Sequence, residues 1–380
     1  MKYVYNKRTN YNFSEIGLGC EGFIGKDFIA VKEMIDYAIE NGVNCMDFYS
    51  PNPEMQKYVG KAIGDRGKNF IYQAHVCTKW VNGQYSATRN LEEVKFNFEQ
   101  LLKNLNTDYI DIGMIHYIDS FKTWDEVVNN GILDYCKELK EKGIIKSIGM
   151  SSHHPEVALK VVKEGLIDIL MFSVNPCYDL LPGDEDCDNL FNKDSYNRDF
   201  VNFDPMRVAL YEECERQGVG ITVMKAYAGG ELLSDDSPAK VKMTVNECIS
   251  YALSRPSVVS VLVGAHSLAE LKDAINYENA SDEEKDYAKK FKLFPRINWD
   301  GYCMYCGHCA PCSKKIDIAM VTKLLNLSLS EGKVMETIRQ HYNSLEHNAS
   351  ECVECGLCMN RCPFNVDIIG NMKKAQKTFQ

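Results

Sequence analysis

The stretch Tyr109-Ile110-Asp111-Ile112-Gly113-Met114-Ile115-His116 is a nearly continuous apolar run that stops on a histidine. A strand of this kind belongs in a parallel sheet covered on both faces, where polar–apolar alternation is lost. Comparable runs stand at 16–20, 45–49, 70–78, 147–151, 169–174, 220–225 and 258–263, which makes eight in all. Amphipathic stretches separate them, for example 31–40, 87–105, 124–142 and 204–217, and 268–277 follows the last strand. Gly42, Gly143, Gly165 and Gly218 stand where helices should stop. Eight strand–helix units of this size total about 250 residues, the usual content of a (β/α)8 barrel. The expected fold is α/β, a TIM barrel over 1–280, followed by a linker helix over 281–294 and a small helical domain over 295–380.

That last segment carries two cysteine runs. The first is Cys303-x2-Cys306-x2-Cys309-x2-Cys312 and the second is Cys352-x2-Cys355-x2-Cys358-x3-Cys362-Pro363. The second has the bacterial ferredoxin spacing, in which three cysteines wrap one cube and the fourth serves the other. By that rule one 4Fe-4S cluster takes Cys303, Cys306, Cys309 and Cys362, and a second takes Cys352, Cys355, Cys358 and Cys312. Zinc is the alternative, but it needs four ligands per site and gives no reason for a third cysteine at i+6 in both runs. The first run departs from the pattern in having Ser313 where the second has Pro363. Between the runs, 316–345 has helical periodicity, with Met320, Leu324 and Leu327 at i, i+4 and i+7.

The chain has 380 residues, 45% of them hydrophobic, enough for a large core and two to three domains. Its net charge of −10 argues against a nucleic-acid partner. No apolar run approaches the roughly 20 residues needed to span a membrane. The start, Met1-Lys2-Tyr3-Val4-Tyr5-Asn6, has no signal-peptide hydrophobic stretch. A cytoplasmic location is expected, with the other eight cysteines serving as small buried hydrophobes.

A barrel of this type places its active site at the C-terminal ends of its strands. The polar residues there are Asp47 and Tyr49, Thr78 and Lys79, His116, Ser151 to His154, Asn175 and Lys225. Gly264, His266 and Ser267 open the last helix, whose N-terminus suits a phosphate. The polar, acidic segment 177–203 follows strand six and should hang over the mouth as a lid or binding loop. His153 there is a candidate substrate contact, because histidine titrates near working pH.

These marks together resemble the aldo/keto reductase family, in its branch with a C-terminal ferredoxin-like extension. The resemblance rests on Ile16-Gly17-Leu18-Gly19, Asp47, Thr78-Lys79, Tyr109-Ile110-Asp111 leading to His116, Ile148-Gly149-Met150-Ser151-Ser152-His153, and Met224-Lys225-Ala226 with Gly229-Gly230-Glu231-Leu232. It implies an oxidoreductase in which a tyrosine protonates a carbonyl oxygen, a lysine and an aspartate lower the tyrosine pKa, and a histidine orients the substrate. On this chain those roles fall to Asp47, Lys79 and His116. The family's tyrosine position, five residues after the aspartate, holds Asn52, and Tyr49 is the nearest substitute. The implied nicotinamide site would use Ser151, Asn175, Lys225, Gly264, His266 and Ser267. Here too the chain departs: the family's asparagine after Ser151 is Ser152, its strand-six glutamine is Met171, and its adenine-contacting asparagine is Ala274.

The expected function is an iron–sulfur oxidoreductase acting on a small polar carbonyl or hydroxyl compound. Electrons would pass through two 4Fe-4S clusters to or from a ferredoxin or flavoprotein. Hydride and single-electron carriers usually meet at a flavin, so FMN stays open as a cofactor beside NAD(P)H. The alternatives are an NAD(P)H-dependent carbonyl reductase whose cluster domain is structural or for docking, and a non-catalytic electron-transfer protein.

Overall fold

A computed structural model describes residues 1–235, 237–295, 297–330 and 334–379. A hairpin of β1 (Tyr3–Asn6) and β2 (Tyr11–Ser14) leads into β3 (Ile16–Gly19), followed by β4 (Cys45–Phe48) and β5 (Ile71–Val76). A second hairpin, β6 (Thr78–Val81) and β7 (Gln84–Ala87), precedes β8 (Ile110–Ile115), β9 (Ile145–Ser152) and β10 (Ile169–Ser173). After the two-residue β11 (Phe200–Val201) come β12 (Gly220–Met224), β13 (Val258–Gly264) and the short β14 (Ile297–Asn298). Strands β3, β4, β5, β8, β9, β10, β12 and β13 close in that order into a parallel barrel, with β13 returning to β3. The expected TIM barrel is the observed one.

Around it lie α1 (Phe28–Glu40), α2 (Pro53–Ile63), α3 (Leu91–Leu105), α4 (Phe121–Asn129), α5 (Ile132–Glu141), α6 (Pro155–Lys163), α7 (Pro205–Gln217), α8 (Val245–Ser254) and α9 (Leu268–Ile275). The cysteine region adds α10 (Ala288–Phe291), α11 (Ile318–Ser330), α12 (Glu336–Asn343), α13 (Leu357–Arg361) and α14 (Ile368–Phe379). No helix among the described residues is long and apolar enough to cross a membrane.

The barrel interior is apolar, with Ile112, Met114, Ile169 and Met171 packed together, and Phe13 of the first hairpin sits fully buried among them. Burying a phenylalanine stabilises by about 1.5–3 kcal/mol. Tyr11 Oη donates to Asp111 Oδ1 at 2.7 Å, and the Tyr72 amide donates to Asp111 Oδ2 at 2.9 Å. The acid inside the 109–116 run is therefore a structural group that ties the hairpin to the barrel.

Several sequence expectations shift. The third strand ends at Val76 rather than Thr78, because Cys77 turns the chain at φ +76° and the hairpin begins at Thr78. The stretch 87–105 begins its helix only at Leu91. The stretch 124–142 is two helices, broken where Gly131 adopts φ +78°. The stretch 281–294, read as a linker helix, is helical only over Ala288–Phe291. Of the stretch 316–345, the part at 331–333 lies outside the described residues. Within α11, Leu324 and Leu327 are buried as expected, joined by Val321, whereas Met320 is 37% exposed.

The segment 177–203 is not structureless. It contains short 3-10 turns at Tyr178–Leu180, Cys187–Leu190 and Lys193–Tyr196, and its β11 pairs in parallel with β14. Its base is fixed by a fully buried acid: Asp179 accepts from Tyr211 Oη at 2.6 Å and also from Tyr251 Oη, with Arg207 Nη1 3.6 Å away. Arg207 Nε donates to Leu181 O at 3.0 Å. The cysteine region joins here, where Phe203 packs on Trp299 and Tyr302 with ring centres 5.0 and 5.6 Å apart.

Candidate functional site

At the C-terminal end of the barrel the ends of β4, β5 and β8 bring three titratable groups into one buried line. Asp47 Oδ1 accepts from Gln73 Nε2 at 2.7 Å and lies 3.0 Å from His75 Nε2. His75 Nδ1 is 2.6 Å from His116 Nδ1. His116 Nε2 is hydrogen-bonded in turn to the hydroxyl of Tyr85, on β7. Gln73 is held in this orientation because its Oε1 accepts from Thr222 Oγ1 at 3.0 Å. Asp47, His75 and His116 are buried, whereas Tyr85 is 36% exposed and opens the line to the mouth.

The tautomers follow from the partners. An ionised Asp47 only accepts, so His75 Nε2 carries hydrogen and His75 Nδ1 accepts. His116 then donates from Nδ1 and accepts the Tyr85 proton at Nε2. Burial, reinforced by His75, Arg89 and His153, holds the His116 pKa well below the ordinary imidazole value, which keeps the ring neutral. Burial pushes the Tyr85 phenol up to about 12, with the Arg89 cation pulling the other way. Arg89 Nη2 also donates to the carbonyls of His116 and Tyr117 at 2.8 and 2.9 Å. That bond helps hold Tyr117 at φ +58°, a conformation costing about 1–3 kcal/mol in a non-glycine residue.

Tyr49 stands beside the line without joining it. Its ring stacks on His116 at 6.2 Å, but its hydroxyl donates to Glu21 Oε1 at 2.8 Å. Burial, with Glu21 next in weight, raises its pKa. Lys79, on β6, bonds Glu93 Oε2 at 2.8 Å, so it is not the partner of Asp47. On the other side of the mouth, His153 Nδ1 lies 2.8 Å from Asp119 Oδ2, and its ring is 5.6 Å from that of Tyr117. Burial works to raise the Asp119 pKa, yet the bonds from His153 and Ser152 outweigh it and hold the carboxyl below its usual range. The turn at Cys187–Leu190 reaches across: Cys187 Sγ is 3.2 Å from Tyr117 Oη, and Lys225 Nζ lies 5.5 Å from the centre of the Phe191 ring.

Cysteines of the two runs stand near one another. Cys362, of the second run, stands near Cys303 and Cys306 of the first. Cys312, of the first run, lines one cavity with Cys352, Cys355 and Cys358. All eight are free, and none is fully buried. Two four-thiol groups of this composition fit 4Fe-4S clusters.

The sequence pattern of the aldo/keto reductase family matches residues 15–292, which is most of the chain. The chain belongs to the aldo/keto reductase family. A 4Fe-4S binding domain pattern matches residues 345–366, around the second cysteine run. The uncharacterized oxidoreductase YqkF of Bacillus subtilis is 24% identical over 282 residues, 72% of this chain and 89% of its own length. Glycerol 2-dehydrogenase (NADP(+)) of Hypocrea jecorina is 25% identical over 170 residues, 39% of this chain and 52% of its own length. In fold, the chain is similar to the aldo-keto reductase AKR11C1 from Bacillus halodurans in its holo form. The TM-score is 0.58 at 20% identity, over 76% of this chain and 96% of that one.

Set beside the family, the active end has changed hands. His75, not Lys79, is the basic group on Asp47, and Tyr85, not Tyr49, is the hydroxyl on His116. Both were missed in the sequence. Asn82-Gly83, a two-residue hairpin signal between 78–81 and 84–87, would have located Tyr85.

The implied nicotinamide contacts are largely consumed internally. Ser151 Oγ accepts from the Tyr117 amide at 2.8 Å, and Ser152 Oγ donates to Asp119 Oδ1 at 3.0 Å. Asn175 is fully buried, its Nδ2 donating to Lys225 O at 2.9 Å and its Oδ1 accepting from the Cys177 and Tyr178 amides. Ser267 Oγ caps α9 by accepting from the Glu270 amide at 3.2 Å. Glu270 Oε2 accepts from the His266 amide at 2.8 Å, which puts a carboxylate where a phosphate would sit. Gly264 remains exposed and open. As arranged, these groups do not fit a nicotinamide dinucleotide.

Proposed function

We propose that the chain is an iron–sulfur oxidoreductase that interconverts a small polar hydroxyl compound and its carbonyl at the barrel mouth, with electrons passing through two 4Fe-4S clusters. The observation that carries this reading is the unbroken line from Tyr85 through His116 and His75 to Asp47. Every donor in it points toward Asp47, the direction needed to take a proton from a hydroxyl.

A substrate hydroxyl resting on Tyr85 gives its proton to the phenol oxygen. The phenol proton moves to His116 Nε2, that of His116 Nδ1 to His75 Nδ1, and that of His75 Nε2 to Asp47. Each group shifts one proton, and negative charge passes from the buried carboxylate to the substrate oxygen; the C–H bond would then break, its hydrogen leaving as a hydride to a flavin, and the oxygen would become the carbonyl. Carbonyl reduction runs the line backward from a protonated Asp47. Acid–base assistance of this kind contributes about 10²–10⁴ in rate. His153, held by Asp119, faces the mouth beside Tyr117 and suits a second substrate oxygen. When loaded, two clusters would together hold the two electrons that such an oxidation releases.

The relative named glycerol 2-dehydrogenase makes polyols the first compounds to try, and it favours the alternative of an NAD(P)H-dependent reductase. The test is oxidation of a polyol and hydroxy-acid panel by anaerobically reconstituted protein with an artificial one-electron acceptor. Turnover that is lost in Tyr85→Phe supports the reading. Tight NADPH or NADH binding, with turnover that survives Cys355→Ser and Cys358→Ser, would replace it with the alternative.

A further inference from the structure

We propose that the face around Cys355 docks an acidic protein that carries one electron at a time. The inference rests on the two-cluster reading and adds where a partner binds and what charge it bears.

The two cysteine groups differ in access. Seven of the eight cysteines of the two runs, including the whole group of Cys303, Cys306, Cys309 and Cys362, are half-buried, and only Cys355 is exposed. The fully buried Met304 lies within that group's span, and its carbonyl accepts from Arg255 Nη2 at 2.5 Å and from Tyr287 Oη at 2.7 Å. His308, also in that span, is tied by Nε2 to Asp286 Oδ2 at 2.9 Å. The other group ends at the surface, where Cys355 is exposed. Val353 and Leu357, on either side of it, are 55% and 51% exposed. Apolar side chains paired at an open cysteine site are what a transient protein contact covers.

Basic residues gather at this face although the whole chain carries −10. Lys314 and Arg361 line the cysteine cavity, and Lys315 follows on the exposed loop. Glu351 lies near enough to Lys314 to feel its charge, but its carboxylate is taken up by His347 Nδ1 at 3.0 Å. Arg361 Nη2 spends its bonds on the carbonyls of Cys309 and Pro311, at 2.9 and 2.7 Å, which leaves its charge uncancelled. Glu354, the carboxylate lining the cavity, is paired with Lys373 at 2.7 Å. A cationic ring about an apolar centre selects an anionic partner and raises its encounter rate. In the oxidative direction the cluster that Cys312, Cys352, Cys355 and Cys358 would hold gives up one electron and the oxidised carrier gains it. No bond or proton is exchanged.

The test uses the iron-loaded full chain and a strongly acidic flavodoxin as probe, with binding measured by calorimetry at low and high salt. The expected result is binding that weakens with salt, falls about tenfold or more in the Lys314→Glu, Lys315→Glu double variant, and is unchanged in Lys103→Glu on the far helix α3. Leu357→Asn should weaken it without altering the salt dependence. Full iron content with equal binding by wild type and the double variant, or no binding by either, would overturn the surface. Iron content of one cluster or less in the wild type would instead overturn the two-cluster reading beneath it.

Discussion

His75 Nδ1 and His116 Nδ1 lie 2.6 Å apart, so one ring must donate and the other accept. Two imidazolium rings cannot share that contact, and both rings are buried. The family's usual cation on the aspartate is thus replaced by a neutral ring that can both take and give a proton. A lysine could stabilise charge there but could not hand a proton on through a second atom.

The hydroxyl on His116 is the first point to test. Tyr85→Phe should lower kcat by about 10²–10⁴ and leave KM nearly unchanged. Tyr49→Phe, which removes only a bond to Glu21, should cost less than about tenfold. Steady-state kinetics of both variants on the best panel substrate decide between them.

His75→Leu breaks the line while leaving His116 and Tyr85 in place. It should reduce kcat by a factor comparable to Tyr85→Phe, and the double variant should be little worse than either single one. Residues that act as one unit are not additive. A double-variant loss equal to the product of the single losses would show that the two groups act separately.

Low pH should damage both stability and turnover through His116. Its folded pKa is depressed below 6.5, so between those two values the unfolded chain binds more protons than the folded one. Stability therefore rises with pH up to about 6.5 and is lost as the pH falls below it. Urea unfolding from pH 7 to 5 should show that slope, and His116→Asn should flatten it. In the folded protein His116 stays neutral across that window, so kcat should hold there and fall only once the pH drops below the depressed folded value, where a protonated ring no longer accepts from Tyr85.

Asp179 and Arg207 form a fully buried ion pair under the segment at the mouth. Burial raises the Asp179 pKa, with Arg207 and the two tyrosines opposing it. Arg207→Met should destabilise by about 3–5 kcal/mol, because it strands a buried carboxylate. Thermal unfolding measures this, and Asp179→Asn with Arg207→Met together should recover part of the loss.

Cys362→Ser should deplete the cluster otherwise served by the first cysteine run, and Cys312→Ser the one served by the second. Each should leave half the iron, with a different electron paramagnetic resonance signal surviving. The same signal in both variants would mean the ligands are not crossed.

Much of this was legible in the sequence, and the unread part has a common cause. Strands buried on both faces announce themselves as apolar runs, so the barrel and the positions of Asp47 and His116 were readable. Cysteine spacing is local, so the second run, which the 4Fe-4S binding domain pattern covers, was readable as well. His75 was not, because a strand extended two residues too far moved the search to Lys79. Tyr85 was not, because the helix drawn from 87 left no room to see a hairpin on Asn82-Gly83. The internal bonding of Ser151, Asn175 and Glu270 is a matter of three-dimensional partners, which no single-chain pattern encodes.

The pairing of β11 with β14 sets a limit on modularity. Phe200 and Val201 belong to the segment over the mouth, while Ile297 and Asn298 belong to the start of the cysteine region. The two ends of the chain's chemistry are therefore stitched by backbone bonds rather than tethered by a linker. A protein cut before Pro295 would lose the strand that holds the mouth segment in place, along with Trp299 beneath Phe203. Shuffling this barrel onto another electron-transfer unit would have to carry that strand along, so the two parts are constrained to evolve as one.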